Sequence, residues 1–215
     1  MRRPELTNPD LAEFVGIMLG DGSIGRYECS RGDSSSSEQF VVKVTISKDE
    51  SDYEDYIFDL FEKLFAIEPI SYRKKNENTL DIRCFNPDLF DFMTGQVGLK
   101  TAPKKDRALI PERYMTEELR KEVLRGYFDT DGSLVLTDNN GYLYPRLEMK
   151  ISRSPMQEQF VQLIEDEGFR FGNYELENGK IRIQMNGEEQ LQKWVEEVGF
   201  SNQRHLDKLE RFKRG

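Results

Sequence analysis

The chain has 215 residues, 37% of them hydrophobic, which is enough for one large domain or two small fused domains with a buried core. No apolar run approaches the ~20 residues of a membrane span, and the N-terminal stretch MRRPELTNPD is too polar for a signal peptide, so we expect a soluble cytoplasmic protein without a membrane partner. The net charge of −9 argues against nucleic-acid binding unless acids and bases are segregated on the surface.

The first half predicts a helix, two strands, a helix, two strands and a short helix. Asn8 and Pro9 mark the first start, because an N-cap amide followed by proline commonly opens a helix. Residues 40–47 alternate between apolar and polar, as in a half-buried strand. The predicted elements are a helix from Asn8 to Asp21, a strand from Ser23, a mobile serine-rich turn over 27–39, a strand at 40–47, a helix at 49–65, strands at 70–75 and 79–85, and a helix from Asn86 to Met93.

The second half repeats this order after a basic linker, 100–115. Thr116 is predicted to cap the helix that opens it. The remaining elements are strands at 133–137 and 144–152 around the turn 138–141, a helix from Ser154 to Glu167, a hairpin over 171–185, a helix from Asn186 to Val198 and a basic helix from His205 to Lys213.

These patterns predict an α+β fold of two pseudo-symmetric αββαββα halves, 1–99 and 116–215. Each half should hold a four-stranded antiparallel sheet with one face on helices and the other facing out. With the two opening helices at the interface, the sheets would form a saddle.

Cysteine and histidine are scarce. Cys29 and Cys84 lie far apart in the sequence with His205 as the single histidine, so neither a zinc spacing nor a disulfide framework is present, and we expect two free thiols. A histidine-based nuclease site cannot be built from these residues.

One stretch occurs twice. EFVGIMLGDGSI (13–24) and VLRGYFDTDGSL (123–134) align with an offset of 110 residues, so that Asp21 falls on Asp131 and Gly16 on Gly126. An offset near half the chain indicates two similar halves rather than a solenoid, whose period is about 20–50 residues.

Each copy is an apolar helix that ends on an acid. Small residues four apart (Gly16 and Gly20; Gly126 and Thr130) would let the two helices pack closely and bring the two acids together. The glycine after each acid is expected to take the left-handed conformation that ends many helices. Two carboxylates at the negative ends of two helix dipoles are unfavourable alone and make sense as a metal site.

A plainer interpretation exists for each copy by itself. A lone Asp-Gly is usually a turn, and an apolar helix with small residues is usually core. Two copies in register, each leading into a strand, favour a functional pair.

The strings FVGIMLGDG (14–22) and LRGYFDTDG (124–132) resemble the LAGLIDADG homing endonucleases, in their single-chain, two-motif form. The second copy has both acids of the family motif, Asp129 and Asp131, whereas Leu19 replaces the first acid in the first copy. The resemblance implies a monomeric, metal-dependent endonuclease that cuts both strands across the minor groove and leaves short 3′ overhangs.

The resemblance also implies the cofactor and the substrate. Mg²⁺ is expected, with Mn²⁺ substituting and Ca²⁺ supporting binding without cleavage. The partner would be double-stranded DNA with a long, specific, pseudo-palindromic target. The implied metal ligands are Asp21, Gly20, Asp131 and Thr130.

A base ends the second strand of each half, Lys48 after Asp21 and Arg153 after Asp131. In the family, a base at this point assists at the scissile phosphate, which would make the catalytic set Asp21, Asp131, Lys48 and Arg153. Arginine departs from the more usual lysine and cannot lose a proton at working pH. On position alone, solvated charges at helix starts are the simpler interpretation of both bases, and their paired placement brings the functional interpretation level with it.

Donors and acceptors on the outward strand faces would read base edges, and linker bases would meet phosphates. Such a face could also be an ordinary wet sheet surface. The predicted DNA-binding residues are Lys43, Thr45, Arg73, Lys74, Lys75, Arg83, Lys100, Lys104, Lys105, Arg146, Glu148, Lys150, Lys180, Arg182 and Gln184.

Two rivals stay open. One is a non-cleaving DNA- or RNA-binding module on the same fold, such as an intron maturase or a regulator, favoured by the acidic charge and by Arg153. The other is a nuclease without sequence preference, disfavoured by the long alternating strands. We expect an intron or free-standing mobile element, because Met1 opens the chain and a terminal His-Asn pair is missing, so no splicing domain is expected.

Overall fold

The computed structural model describes residues 1–30 and 36–214 and confirms the α+β class. The helices are α1 (Pro9–Leu19), α2 (Ser51–Phe65), α3 (Pro87–Asp91), α4 (Arg120–Asp131), α5 (Met156–Asp166), α6 (Glu188–Glu197) and α7 (Gln203–Arg214). The strands are β1 (Gly22–Ser30), β2 (Ser36–Ser47), β3 (Ile70–Arg73), β4 (Thr79–Phe85), β5 (Gly132–Asn139), β6 (Tyr142–Ile151), β7 (Gly172–Glu175) and β8 (Ile181–Asn186). The centre of the turn predicted over 27–39 lies outside the described residues.

Two four-stranded antiparallel sheets have the same strand order, β1-β2-β4-β3 and β5-β6-β8-β7. The alternation predicted for β2 is confirmed, because Val42, Val44 and Ile46 are buried while Lys43 and Thr45 are partly exposed on the other face. The division at 99 and 116 stays a prediction, although the repeated strand order agrees with two similar halves.

The helices α1 and α4 touch at backbone distance. A Cβ built on Gly126 would lie 2.1 Å from the carbonyl oxygen of Glu13, and one built on Gly16 would lie 2.3 Å from the carbonyl oxygen of Val123. The close packing expected from the small residues is therefore confirmed, and it fixes the ends of both helices relative to each other.

One predicted helix start is right and one is wrong. The Asn8 side chain accepts hydrogen bonds from the backbone N–H groups of Asp10 and Leu11, so it caps α1. Thr116 does not cap α4, which begins at Arg120 without a side-chain cap. The intervening segment forms a turn, in which the Thr116 carbonyl accepts the first hydrogen bonds of the helix.

The expectation for the glycine after each acid is also wrong. Neither Gly22 nor Gly132 has a positive φ, and each opens a strand in extended conformation. A Cβ at Gly22 would lie 2.3 Å from the Cα of Met18, and one at Gly132 would lie 2.5 Å from the carbonyl oxygen of Phe128. Glycine is needed because the strand starts directly against the last turn of the helix.

The acids and bases are segregated, as the net charge requires of a DNA-binding protein. The outward faces of α2, α5 and α6 carry exposed acids, whereas the opposite, helix-free faces of the sheets carry the bases. The exposed acids on the helices are Asp52, Asp55, Asp59, Glu62, Glu158, Glu165, Asp166, Glu188, Glu189 and Glu196. Among the described residues, no helix is long and apolar enough to cross a membrane. Of the two expected free thiols, Cys84 is a buried free thiol, and the side chain of Cys29 lies outside the described part of the structure.

Candidate metal and nucleic-acid site

The two motif acids lie together at the C-terminal ends of α1 and α4. Asp21 lies two residues after the end of α1, and Asp131 is the last residue of α4. A Cβ built on Gly20 would lie 2.1 Å from Oγ1 of Thr130 and 3.2 Å from Oδ2 of Asp131, so the absence of a side chain at Gly20 lets the two ends meet.

The surroundings of both carboxyl groups disfavour their charged forms. Burial, and then the charge of Asp131, raise the pKa of Asp21 from 3.8 to about 7. Asp131 is the more exposed of the two; burial raises its pKa as well, while Lys104, Lys180 and Arg204 oppose that shift. A divalent cation would relieve both the repulsion and the poor hydration.

Lys104 closes the end of α1 rather than facing outward. Its ammonium group donates to the carbonyl oxygens of Met18, Leu19 and Gly20 at 2.8, 3.0 and 3.1 Å. Burial lowers its pKa from 10.5 to about 8, although both motif acids act against the shift. The predicted role of Lys104 as a phosphate contact is therefore corrected, because its donors are already used within the protein.

Arg204, on α7, does the same for α4. Its Nη2 donates to the carbonyl oxygens of Asp129, Thr130 and Gly132 at 2.9, 2.8 and 3.2 Å. Each motif helix thus ends against one long cationic side chain from a distant part of the sequence, which offsets the negative end of its dipole.

Asp129, the other acid of the second motif copy, anchors the chain and takes no place at the metal site. Its Oδ2 accepts from the backbone N–H groups of Ser201 and Asn202 at 2.6 and 3.1 Å, and the residue is buried. Burial raises its pKa to about 7. His205 lies beside it, fully buried, with a pKa lowered by burial to about 3, so this histidine is neutral at physiological pH.

The two predicted assisting bases have different surroundings. Lys48 donates to the backbone carbonyl oxygens of Lys74 and Glu77 in the β3–β4 turn, the second at 2.7 Å, and so is held toward that turn. Arg153 is exposed and lines, with Asp131, a cavity of about 120 Å³. The structure therefore places Arg153 on a cavity that one motif acid also lines and directs Lys48 elsewhere.

The donor set fits a divalent cation of the Mg²⁺ type. The carboxylates of Asp21 and Asp131 supply two ligands, and the carbonyl oxygens of Gly20 and Thr130, predicted as further ligands, already accept hydrogen bonds from the two capping cations. Within 1–30 and 36–214, no group of three or more acidic, histidine or cysteine side chains could hold a metal ion. The remaining ligands would be water and substrate oxygens, which Mg²⁺ favours.

We expect the metal-free protein to lose stability as the pH rises from about 4 to about 7. The unfolded chain releases the Asp21 proton near 3.8, whereas the folded chain keeps it to about 7, so the folded state binds more protons in this window. In EDTA at pH 8, Asp21→Asn should therefore have a free energy of unfolding higher than that of the wild type by on the order of 2–4 kcal/mol. At pH 5 the difference should be much smaller. A difference that does not change with pH would contradict the raised pKa.

Most predicted DNA-contacting residues lie on the outward sheet faces or in the turns and linker beside them. Arg73 is an exception, because the pleat turns it to the helix side, where it pairs with Glu54 of α2 at 2.9 Å. The residues on the outward faces are Lys43, Thr45, Arg83, Arg146, Glu148, Lys150, Arg182 and Gln184. Those in the turns and linker are Lys74, Lys75, Lys100, Lys105 and Lys180.

Sequence reasoning missed three residues near the acids or on the sheet face. These residues, to which no place in the site was assigned, are Arg204, Glu50 and Asp81. Glu50 accepts from Asn202 at 2.9 Å and pairs with Arg204 at 3.2 Å, and its charge helps to raise the pKa of Asp21. None of these contacts is between neighbours in the sequence, so no local pattern could have revealed them.

No protein-family model matches the chain. Among curated proteins it is 28% identical over 126 residues to a DNA polymerase of Methanocaldococcus jannaschii, covering 56% of this chain and 7% of the polymerase. It is 32% identical over 128 residues to a DNA polymerase of Thermococcus kodakarensis, covering 57% and 7%. It is 26% identical over 211 residues to the replication factor C small subunit of M. jannaschii, covering 94% and 10%. The chain thus spans a tenth or less of each of these relatives.

Solved structures match over nearly the whole chain. The homing endonuclease I-DmoI in complex with DNA and Mn is 16% identical, with a TM-score of 0.62 over 91% of this chain and 98% of that one. The LAGLIDADG homing endonuclease I-LtrWI bound to target DNA is 11% identical, with a TM-score of 0.63 over 96% and 89%. I-SmaMI bound to uncleaved DNA in the presence of calcium ions is 11% identical, with 0.64 over 94% and 88%. The chain has the LAGLIDADG homing endonuclease fold, in its single-chain form with two motifs, and the resemblance seen in the sequence is confirmed at the level of the fold.

Proposed function

We propose that the chain is a site-specific endonuclease that hydrolyses one phosphodiester bond in each strand of a DNA duplex with a divalent metal. The proposal rests chiefly on one observation, the meeting of the carboxyl groups of Asp21 and Asp131 at the touching ends of α1 and α4. The fold supports it, because the solved structures that share the fold include homing endonucleases bound to DNA.

The residues of the site form two groups, those that would bind the metal ion and those that fix the ends of the two motif helices. Asp21 and Asp131 would each give a carboxylate to the ion, one from each half, which suits two strands related by an approximate twofold axis. Lys104 and Arg204 would remain on the carbonyl oxygens behind them, keeping the helix ends fixed and limiting the repulsion between the acids. Arg153, beside the cavity next to Asp131, could hold a phosphate oxygen.

A bound divalent ion would supply a nucleophilic water and would neutralise charge on the phosphate and the leaving oxygen. We propose Mg²⁺ as the working ion, with Mn²⁺ able to replace it and Ca²⁺ able to support binding alone. Related structures contain Mn in one case and calcium ions with uncleaved DNA in another.

The outward sheet faces are proposed to lie in the major groove of a long, pseudo-palindromic target, to which the protein binds as a monomer. Phosphate contacts would come from the turn and linker bases, including Lys75, Lys100, Lys105 and Lys180. The acidic helices point away from this surface, so the net charge of −9 does not oppose DNA at the binding face. Such a substrate would place the protein in the compartment that holds the DNA.

The curated relatives suggest a mobile element. The chain matches a short segment of a DNA polymerase and also a short segment of a replication factor C small subunit, two proteins with different names and lengths of match. A segment shared by unrelated proteins is expected of an inserted element that moves between genes. We therefore propose a mobile-element endonuclease, and the similarity favours an inserted protein segment over an intron as the host element.

One duplex library with a randomised central region tests the proposal. In Mg²⁺ the cut ends are sequenced, and in Ca²⁺ the bound duplexes are sequenced, for the wild type and for Asp131→Asn. We expect defined ends in Mg²⁺ that disappear in the variant, with binding of the same sites in Ca²⁺. Enrichment in Ca²⁺ without cutting in Mg²⁺ or Mn²⁺ would instead support the non-cleaving binding module, and cutting without a defined site would support the general nuclease.

Lys104→Met should destabilise the protein by about 2–3 kcal/mol, which is roughly 4–12 °C in melting temperature, because the charged donor to three carbonyl oxygens is lost. Lys105→Met is the matched control. Because Lys105 is exposed, this variant should shift the melting temperature by less than about 1 °C. Equal shifts in the two variants, measured by thermal unfolding, would mean that Lys104 does not close the end of α1.

A further inference from the structure

The first sheet holds an arginine between an aromatic ring and a carboxylate on its outward face. The guanidinium carbon of Arg83, on β4, lies 4.2 Å from the ring centroid of Tyr72 on the edge strand β3. Its Nε and Nη2 donate to Oδ2 of Asp81 at 3.1 and 2.6 Å. These contacts fix the guanidinium on both sides and leave further N–H groups available to a ligand.

The second sheet builds a similar arrangement from other positions. Arg182, on β8, lies 5.3 Å from the ring centroid of Tyr174 on the edge strand β7, and its Nη1 lies 3.9 Å from Oε1 of Glu148 on β6. Both tyrosines are exposed, at 50% for Tyr72 and 44% for Tyr174, so their side chains remain accessible to a ligand.

The carboxylates are better suited to position an arginine than to attract DNA. Asp81 is fully buried and is held by Lys43 at 3.3 Å and by the Thr45 hydroxyl at 2.8 Å. Burial opposes its ionisation, but hydrogen bonds from Arg83 and Thr45 prevail and lower the pKa of Asp81, so it stays charged. A buried, ionised acid repels phosphate, so this part of the surface suits base edges rather than the DNA backbone.

The strand register shows that the two arginines do not occupy equivalent positions. Val44 pairs with Gly22 and Met149 pairs with the equivalent Gly132, so the next residues, Thr45 and Lys150, are also equivalent. Thr45 pairs with Asp81 and Lys150 pairs with Arg182, so Arg182 corresponds to Asp81. By the same registers, Arg83 corresponds to Gln184 and Lys43 to Glu148. The first sheet therefore has a base on β2 (Lys43) and an acid on β4 (Asp81), whereas the second sheet has an acid on β6 (Glu148) and a base on β8 (Arg182).

This exchange displaces one arginine along its strand. The backbone N–H of Thr45 donates to the backbone carbonyl oxygen of Asp21, so the row of paired residues that holds Asp81 lies beside the motif acid. Arg83 lies two residues farther from that acid. Two strand residues span roughly 6.7 Å, about two base-pair steps of DNA.

We propose that Arg83 and Arg182 each read one guanine in the major groove, and that the guanine read by Arg182 lies about two base pairs nearer the cleavage centre than the one read by Arg83. Bidentate contact from arginine to O6 and N7 is the commonest specific recognition of guanine. Tyr72, Asp81, Tyr174 and Glu148 are positioning residues for these two contacts. This inference rests on the proposed function.

The test is the base profile of duplexes enriched from a randomised library in Ca²⁺, which needs no cleavage. Wild type is compared with Arg83→Lys, Arg182→Lys, Tyr72→Ala, Tyr72→Phe and Asp81→Asn. Arg3→Ala is the control, since Arg3 faces Asp88 on α3. Thermal unfolding of each variant shows that it is folded.

We expect one guanine in each half of the wild-type profile, at unequal distances from the centre. Lysine at 83 should reduce the guanine preference at the outer position alone by roughly 5- to 150-fold, and lysine at 182 at the inner position alone. Alanine at 72 and asparagine at 81 should weaken the same outer preference, phenylalanine at 72 should keep it, and the control should change nothing.

Different negative results of this experiment would distinguish the proposed function from the inference about the two arginines. No enriched sequence with the wild type would overturn the proposed function and this inference together. An enriched site whose guanines are unaffected by the arginine variants, or whose guanines are symmetric about the centre, would overturn the inference and leave the endonuclease proposal standing.

Discussion

Replacing either Asp21 or Asp131 by asparagine is expected to reduce cleavage of both strands by at least about a thousandfold. Each acid supplies one of the two carboxylates proposed to hold the metal, and the asparagine amide cannot supply that charge. DNA binding in Ca²⁺ should persist more than cleavage does, because the sheet faces proposed to read bases are unchanged. The measurement is single-turnover cleavage of the selected site in Mg²⁺, with each strand labelled separately.

Asp52→Asn is the matched control for this prediction. It removes the same charge from an exposed position on α2, away from the sheet faces, and should cleave within about twofold of the wild type. An Asp21 or Asp131 variant that keeps a tenth or more of the wild-type rate would show that the paired acids are not the metal site.

Gly126→Ala is expected to cost about 3 kcal/mol or more in the free energy of unfolding. The added Cβ would lie 2.1 Å from the Glu13 carbonyl oxygen and 2.9 Å from the Ile17 amide nitrogen, and because both belong to the backbone of α1, the helices must separate. The expected loss in melting temperature is roughly 6–12 °C. Cleavage should fall as well, because the same separation moves Asp131 away from Asp21.

Gly95→Ala provides the comparison. Gly95 lies in the π-helical turn Phe92–Val97, and a Cβ there would meet nothing within 4 Å, so alanine should be neutral or slightly stabilising. If Gly126→Ala unfolds at the same temperature as Gly95→Ala, the two motif helices do not meet as closely as the structure has them.

The sequence predicted the parts of the site that repeat. The register of the two Asp-Gly-Ser triplets located both acids, and the small residues four apart predicted that α1 and α4 would touch. A fixed spacing on a helix face is enough to predict such contacts, because helix geometry determines which side chains share a face. The alternation in β2 and β6 predicted the outward faces in the same way.

The capping cations could not be predicted, because their contacts depend on tertiary structure. Lys104 belongs to a run of linker bases, and nothing distinguishes it from Lys105 until the linker is folded over the end of α1. Arg204 reaches carbonyl oxygens 72 to 75 residues earlier in the chain.

Three further expectations went wrong for local steric or topological reasons. Gly22 and Gly132 were assigned a left-handed conformation, whereas the space left by the preceding helix turn requires glycine there in extended conformation. Arg73 was assigned to the DNA side, but one step of the pleat turns it toward α2. For Lys48 the strand position was read correctly, but the side chain is directed to the β3–β4 turn.

The position of the cut on each strand tests the central claim most directly. The ends produced from the selected duplex by the wild type in Mg²⁺ are sequenced separately for the two strands. If the two acids form one site between the two sheets that we propose to read DNA, we expect one cut per strand, a few base pairs apart, with the centre of the target between them, and the family resemblance implies 3′ overhangs. Cuts confined to one strand, blunt ends, or ends scattered along the duplex would contradict a joint site formed by Asp21 and Asp131.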